Sequence, residues 1–106
     1  MSIAAINPAT GETLKRFQTL SAEEIEHKLT TAQAAFTRFR QTSFAQRKQW
    51  LENAAAILER DAEKFAAMMA TEMGKTFKSA VAEKKKCALV CRYYAENGEA
   101  FLADEY

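Results

Sequence analysis

Residues 43–74 read SFAQRKQWLENAAAILERDAEKFAAMMATEMG, and this stretch decides the kind of fold. Ser43 followed by Gln46 is a capping box, in which each side chain bonds the other residue's backbone N–H. Trp50, Leu51, Ala54, Ile57 and Leu58 then recur in the steps of a helix that hides one face. Asp61, just after Arg60, is a second start signal, and it predicts a fresh helical segment with Phe65, Met68 and Met69 inside. Gly74 follows the last periodic residue and supplies the stop. Helices govern this stretch.

Toward the N-terminus the same device recurs. Ser21 and Glu24 form another capping box, and Ile25, Leu29, Ala32, Phe36 and Phe39 make an apolar face at helical spacing. Residues 3–18 are the only part without helical character. Ile3–Ile6 is short and apolar, Asn7-Pro8-Ala9-Thr10-Gly11 is turn chemistry, and Thr13–Gln18 fits a returning strand. An isolated hairpin is marginal in water, so this arm must lean on something else. Toward the C-terminus a third helix is expected from near Thr76 to beyond Phe101, with Ala80, Cys87, Cys91, Tyr94 and Phe101 inward. The final FLADEY carries no helix-stop signal, so the architecture is expected to continue past it. The predicted fold is mostly α with an N-terminal β-hairpin, organised as an arm over residues 1–20 and a helical part over 21–106.

Bulk properties narrow the function classes. The 106 residues are 48% hydrophobic and 27% charged, as in ordinary folded proteins. A net charge of +1 offers no field to draw nucleic acid or an anionic membrane. The start MSIAAINPATGE has no basic n-region and no long apolar run, and no segment approaches a membrane span. Two cysteines without a secretory signal fit a reducing, cytoplasmic setting. The expected partners include neither nucleic acid nor membrane.

Four features invite a chemical reading. Cys87 and Cys91 stand one helical turn apart, but a zinc site needs more ligands, and the single histidine, His27, lies on another helix. A redox pair more often has the Cys-x-x-Cys spacing at a helix start. Cysteine also behaves as a small hydrophobe, so both are expected in the core. Gly74-Lys75-Thr76 resembles the end of a phosphate-binding loop, but that pattern needs a glycine where Met69 stands. Lys84, Lys85 and Lys86 fan over about 200° of a helix, which describes a solvated face, with one lysine at the apolar border able to serve a tunnel or interface. Glu72, just before the helix break, is either a solvated carboxylate or a ligand for a cation beside backbone carbonyls. The aromatic residues fall mainly on helical core stripes rather than on an exposed stacking platform.

Taken together, INPATGE at 6–12, RKQWLENAAAILERDAEKFAAMMATEMGK at 47–75 and AVAEKKKCALVCRYYAEN at 80–97 resemble the N-terminus of the NAD(P)-dependent aldehyde dehydrogenases. EMGKTFKSAVAE followed by the later YAEN is most similar to the bacterial succinate-semialdehyde dehydrogenase branch. The resemblance runs from Ile3 to Tyr106. It implies the N-terminal portion of an α/β fold with an incomplete dinucleotide-binding domain.

In that family a cysteine thiolate attacks the aldehyde, backbone and asparagine donors hold the oxyanion, hydride passes to the nicotinamide, and a glutamate-activated water releases the acid. The resemblance places the catalytic Cys, Asn and Glu, and the strands that cradle NAD or NADP, downstream of these residues. Neither a catalytic nor a cofactor-binding residue is therefore assigned here, no cofactor is expected on this chain alone, and the chain alone is expected to be inactive. Two other roles carry over. Ile6, through its backbone carbonyl, and Glu72 match a structural monovalent-cation site, and Lys86 matches a position at the substrate entrance, where it would favour an anionic aldehyde. A homo-oligomer is expected, with self-association or domain swapping covering exposed apolar stripes. The rival reading is a stand-alone helical interaction module that binds a partner or a full-length dehydrogenase subunit.

Overall fold

In the computed structural model, which describes residues 3–106, three of the four helices begin at a side chain that caps them. An N-terminal hairpin, β1 (Ile3–Ile6) and β2 (Thr13–Phe17), precedes α1 (Ala22–Phe39), α2 (Phe44–Arg60), α3 (Ala62–Met73) and α4 (Phe77–Phe101). Both expected capping boxes form in full. Ser21 accepts from the Glu24 N–H while Glu24 accepts from the Ser21 N–H, and Ser43 and Gln46 do the same. Thr76 caps α4 by accepting from the Ser79 N–H at 3.3 Å. The fold is mostly helical with one two-stranded hairpin, as the patterning implied.

Asp61 departs from expectation. It separates α2 from α3, but its side chain makes no capping bond. The Arg60 guanidinium instead donates twice to its carboxylate, each at 2.8 Å. With φ −98° and ψ 29°, Asp61 also lies outside the extended region from which an N-cap side chain reaches back.

β1 and β2 pair antiparallel, with Ala5 opposite Lys15 and Ile6 opposite Thr13. Leu14 is thus left without an opposite residue, a bulge that bends the arm where its turn begins. The turn is closed by its own chemistry: Asn7 Oδ1 accepts from the Ala9 N–H, Gly11 donates to the Asn7 carbonyl, and Asn7 donates to Glu12.

The helical layer is built on α4. Both α2 and α3 lie along it, and α2 runs antiparallel to it, because Phe44 and Leu51 border a groove with Leu102 and Tyr94 while Glu59 reaches Arg92. Apart from Lys84, the innermost residues are small: Ala55, Ala66, Ala80, Ala88 and Ala95 are buried, and no large side chain among the described residues is fully enclosed. The Cα radius of gyration is 18.4 Å, against about 13 Å for a self-contained domain of this length. These helices form an open layer rather than a closed core. No helix among the described residues is long and apolar enough to cross a membrane.

Several expected core residues therefore sit elsewhere. Trp50 and Ile57 are exposed, whereas Ala55 is fully buried with Leu51, Ala54 and Leu58 half-buried around it. The stripe is rotated toward its smallest member because alanine lets helix backbones approach. Met68 is likewise exposed beside buried Ala66. On α4 the inward line is Ala80, Lys84, Ala88 and Ala95, so Cys87 is exposed and Cys91 only half-buried, and neither is a core cysteine. Helix α1 buries no residue. It meets α2 at its C-terminal end, where Phe39 stacks on Trp50 at 5.7 Å and Arg47 sits 4.9 Å from the Phe39 ring centre. Arg47 also donates to Thr42 Oγ1 at 3.0 Å and to the Phe39 carbonyl at 3.3 Å, fastening the corner between the two helices.

One ion pair ties α2 to α4. Arg92 donates to both Glu59 oxygens, at 3.0 and 2.6 Å, and this hydrogen bonding holds the Glu59 carboxyl below its ordinary value of 4.5. Because the folded value is the lower one, the pair's contribution is complete above pH 4.5 and is lost as pH falls below it. Glu59→Gln should flatten the decline of melting temperature as pH falls below 4.5. Equal slopes in both proteins would show that the pair does not link stability to pH. The effect should be modest, because the pair is solvent-exposed.

Candidate functional site

The residues that invite chemistry fall in two places. The first is the junction of the arm with the end of α3. Gly74 closes α3 in the left-handed region at φ 69°, and its N–H donates to the Ala70 carbonyl. A Cβ built on Gly74 would lie 2.9 Å from Pro8 Cγ, so the turn rests directly against the helix end. Ile6 is two residues before Pro8 and Glu72 two residues before Gly74. The contact joins the arm to the end of α3, the two segments that carry these residues. Glu72 is solvent-exposed and has no ion-pair partner among the described residues. A carboxylate with nearby carbonyls is an oxygen-only donor set, suited to a hard cation. No group of three or more His, Cys, Asp or Glu residues with metal-binding placement occurs among the described residues.

The second place is a groove along α4 of about 780 Å³, lined by Lys75, Glu83, Lys86, Cys87, Val90 and Cys91 among others. Lys75 forms an ion pair with Glu83 across it. That leaves Lys86 as the groove's cation without an ion-pair partner among the described residues. The three consecutive lysines have separate fates. Lys85 and Lys86 are exposed, whereas Lys84, only 4% exposed, occupies the inward line of α4. The buried lysine went unrecognised in the sequence, although the regular steps Ala80, Lys84, Ala88 mark the inward face. The bridge from Glu59 to Arg92 was also missed, because no local spacing connects residues on separate helices.

A Rossmann-type cradle for a dinucleotide joins a parallel strand through a glycine-rich turn to the N-terminus of a helix. The described strands form only one antiparallel hairpin. That parallel unit is not among the described elements.

Comparison with known proteins accounts for this partial equipment. The aldehyde dehydrogenase family model matches residues 1–106. A probable succinate-semialdehyde dehydrogenase [NADP(+)] of Synechocystis is 53% identical over 105 residues, 99% of this chain but 23% of that protein. Succinate-semialdehyde dehydrogenase [NADP(+)] 1 of Mycobacterium tuberculosis shows the same identity and coverage, 53% over 99% of this chain and 23% of its own length. The crystal structure of succinic semialdehyde dehydrogenase from Streptococcus pyogenes with NADP+ superposes with a TM-score of 0.87 at 33% identity. That match covers 94% of this chain and 22% of the other. The chain thus spans about a quarter of the length of the curated relatives it matches. With a family model matched from end to end and the layer of hairpin and helices superposing on a solved member, the chain belongs to the aldehyde dehydrogenase family.

Proposed function

We propose that these residues are the N-terminal part of a dehydrogenase that oxidises succinic semialdehyde, or a similar aldehyde, to the acid with NAD(P)+. The observation that carries this reading is the 53% identity, along 99% of the chain, to succinate-semialdehyde dehydrogenases that use NADP+. In this reading residues 1–20 are an arm, residues 21–106 are the helical support of the cofactor domain, and the working enzyme is a homo-oligomer. The 106 residues alone turn over no aldehyde. The test is a chimera in which this chain replaces the matching segment of the Synechocystis relative. The chimera should oxidise succinic semialdehyde with NADP+, and the 106-residue chain should not. A folded but inactive chimera, or an active 106-residue chain, would overturn the proposal.

Ile6 and Glu72 are proposed to hold a monovalent cation that pins the arm to α3, the anchorage that an isolated hairpin needs. Glu72→Ala should then lower the melting temperature by about 4–8 °C in potassium or sodium chloride, for a site worth ~1 kcal/mol. In tetramethylammonium chloride the variant and the parent should melt together. An equal loss in all three salts would remove the cation from the account.

Lys86 is proposed to stand at the substrate entrance and to attract an anionic aldehyde at long range. In the chimera, Lys86→Ala should raise KM for succinic semialdehyde about two- to fivefold, the scale of one exposed charge. KM for a neutral aldehyde should hardly move. Equal changes for both substrates would make Lys86 an ordinary surface lysine.

A further inference from the structure

The α4 groove carries two thiols for which neither the proposed cation site nor the substrate entrance has a use. Cys87 and Cys91 are both free, are accessible to different degrees, and line the same groove. They stand one turn apart on a continuous helix. Side chains at that spacing have Cβ atoms about 5–6 Å apart, whereas a disulfide needs roughly 3.5–4.5 Å. The helix therefore holds the pair too far apart for a direct S–S bond. An atom bonded to both sulfurs adds a second bond to the bridge and closes that gap. Cys87 is exposed and Cys91 half-buried, and both border the groove, so a bridging centre can reach the pair from that side.

We propose that Cys87 and Cys91 form a dithiol clamp for a thiophilic trivalent centre, of which a monosubstituted arsenical is the fitting chemical class. Two thiolates complete the coordination of such a centre, whose third substituent is its own carbon group. A dithiol is therefore sufficient where zinc would ask for more ligands. With phenylarsine oxide the step balances without an oxidant. Two S–As bonds form, the As–O linkage breaks, and the oxide oxygen leaves as water with the two thiol protons. Arsenic remains trivalent throughout. The clamp rests on α4 alone and is independent of the enzymatic reading.

The experiment uses phenylarsine oxide with the 106-residue chain and its Cys87→Ser and Cys91→Ser variants. Mass spectrometry should find one arsenical per wild-type chain, with both thiols lost to a thiol reagent. Challenge with micromolar glutathione lies well below the roughly millimolar effective concentration at which each thiol meets the other. Wild type should retain the arsenical about 10²-fold better than either variant. Binding should also raise the wild-type melting temperature, because the helix presents the pair ready-made. Retention equal to that of the single-cysteine variants, or two arsenicals per chain, would overturn the clamp. A fall in melting temperature would overturn it too, since the arsenical would then prefer the unfolded chain.

Discussion

Ala88→Leu is expected to lower the melting temperature of the 106-residue chain by roughly 5–20 °C. Overpacking a filled position costs about 1–3 kcal/mol, and each kcal/mol moves the midpoint of a domain this small by about 4–8 °C. The position is unforgiving because of how α4 meets its neighbours. Ala80, Ala88 and Ala95 are buried, and the helices that lie on α4 contribute Ala55 and Ala66 as their own most buried residues. At the most buried positions the contact is between methyl groups, which cannot swing aside to make room. Three added carbons must push the helices apart, and the half-buried Leu51 and Leu58 then lose their cover. Leu89→Ala on the same helix is the control. Leu89 is 67% exposed, so its truncation should change stability by no more than about 0.5 kcal/mol. Thermal unfolding followed by circular dichroism decides the matter. If Ala88→Leu melts within a degree or two of the parent, α4 is not seated on small residues.

Gly74→Ala is expected to cost about 2–4 kcal/mol and to free the arm for proteolysis within residues 9–20. Two causes act together. A φ of 69° charges any residue with a Cβ about 1–2 kcal/mol, and that Cβ would also come within 2.9 Å of Pro8 Cγ. Gly11 separates the two causes, because its φ is 75° but nothing lies within 4 Å of the position its Cβ would take. Gly11→Ala should therefore show the backbone cost alone. Pro8→Ala should relieve the collision, so a double-mutant cycle between Pro8→Ala and Gly74→Ala should give a coupling of about 0.5–3 kcal/mol. Additive losses would mean that the turn does not rest on the end of α3.

Much of the fold was legible because local rules governed it. Ser21, Ser43, Thr76 and Gly74 announce helix ends through bonds made within a few residues, and the turn from Asn7 to Gly11 closes on itself in the same way. Burial was read less well, because it depends on which neighbour arrives. The apolar stripe of α2 could face α4 through Trp50 or through Ala55, and close approach favoured the alanine. Chemical type puts the cysteines of α4 inside and the three lysines on a solvated face with one at the apolar border, but the helix phase buries Lys84, exposes Cys87 and leaves Cys91 half-buried. Asp61 looked like a cap, but Arg60 beside it competed for the carboxylate and won. As for the proposed sites, residue types marked Glu72 and Lys86 as worth weighing. Only the contact between Pro8 and Gly74 brings the arm to the helix end, and no spacing in the chain signals a meeting so remote in sequence.

That meeting also imposes an order in time. The hairpin leaves a ribosome before the helices that follow it, and its resting place at the end of α3 is made only later. While α1, α2 and α3 are still being synthesised, the arm lacks its rest against Gly74, and the edges of its two strands stay unpaired. Nascent chains caught before Gly74 emerges thus carry a sticky, unanchored ribbon, and it is in that interval that they are most open to mispairing with one another.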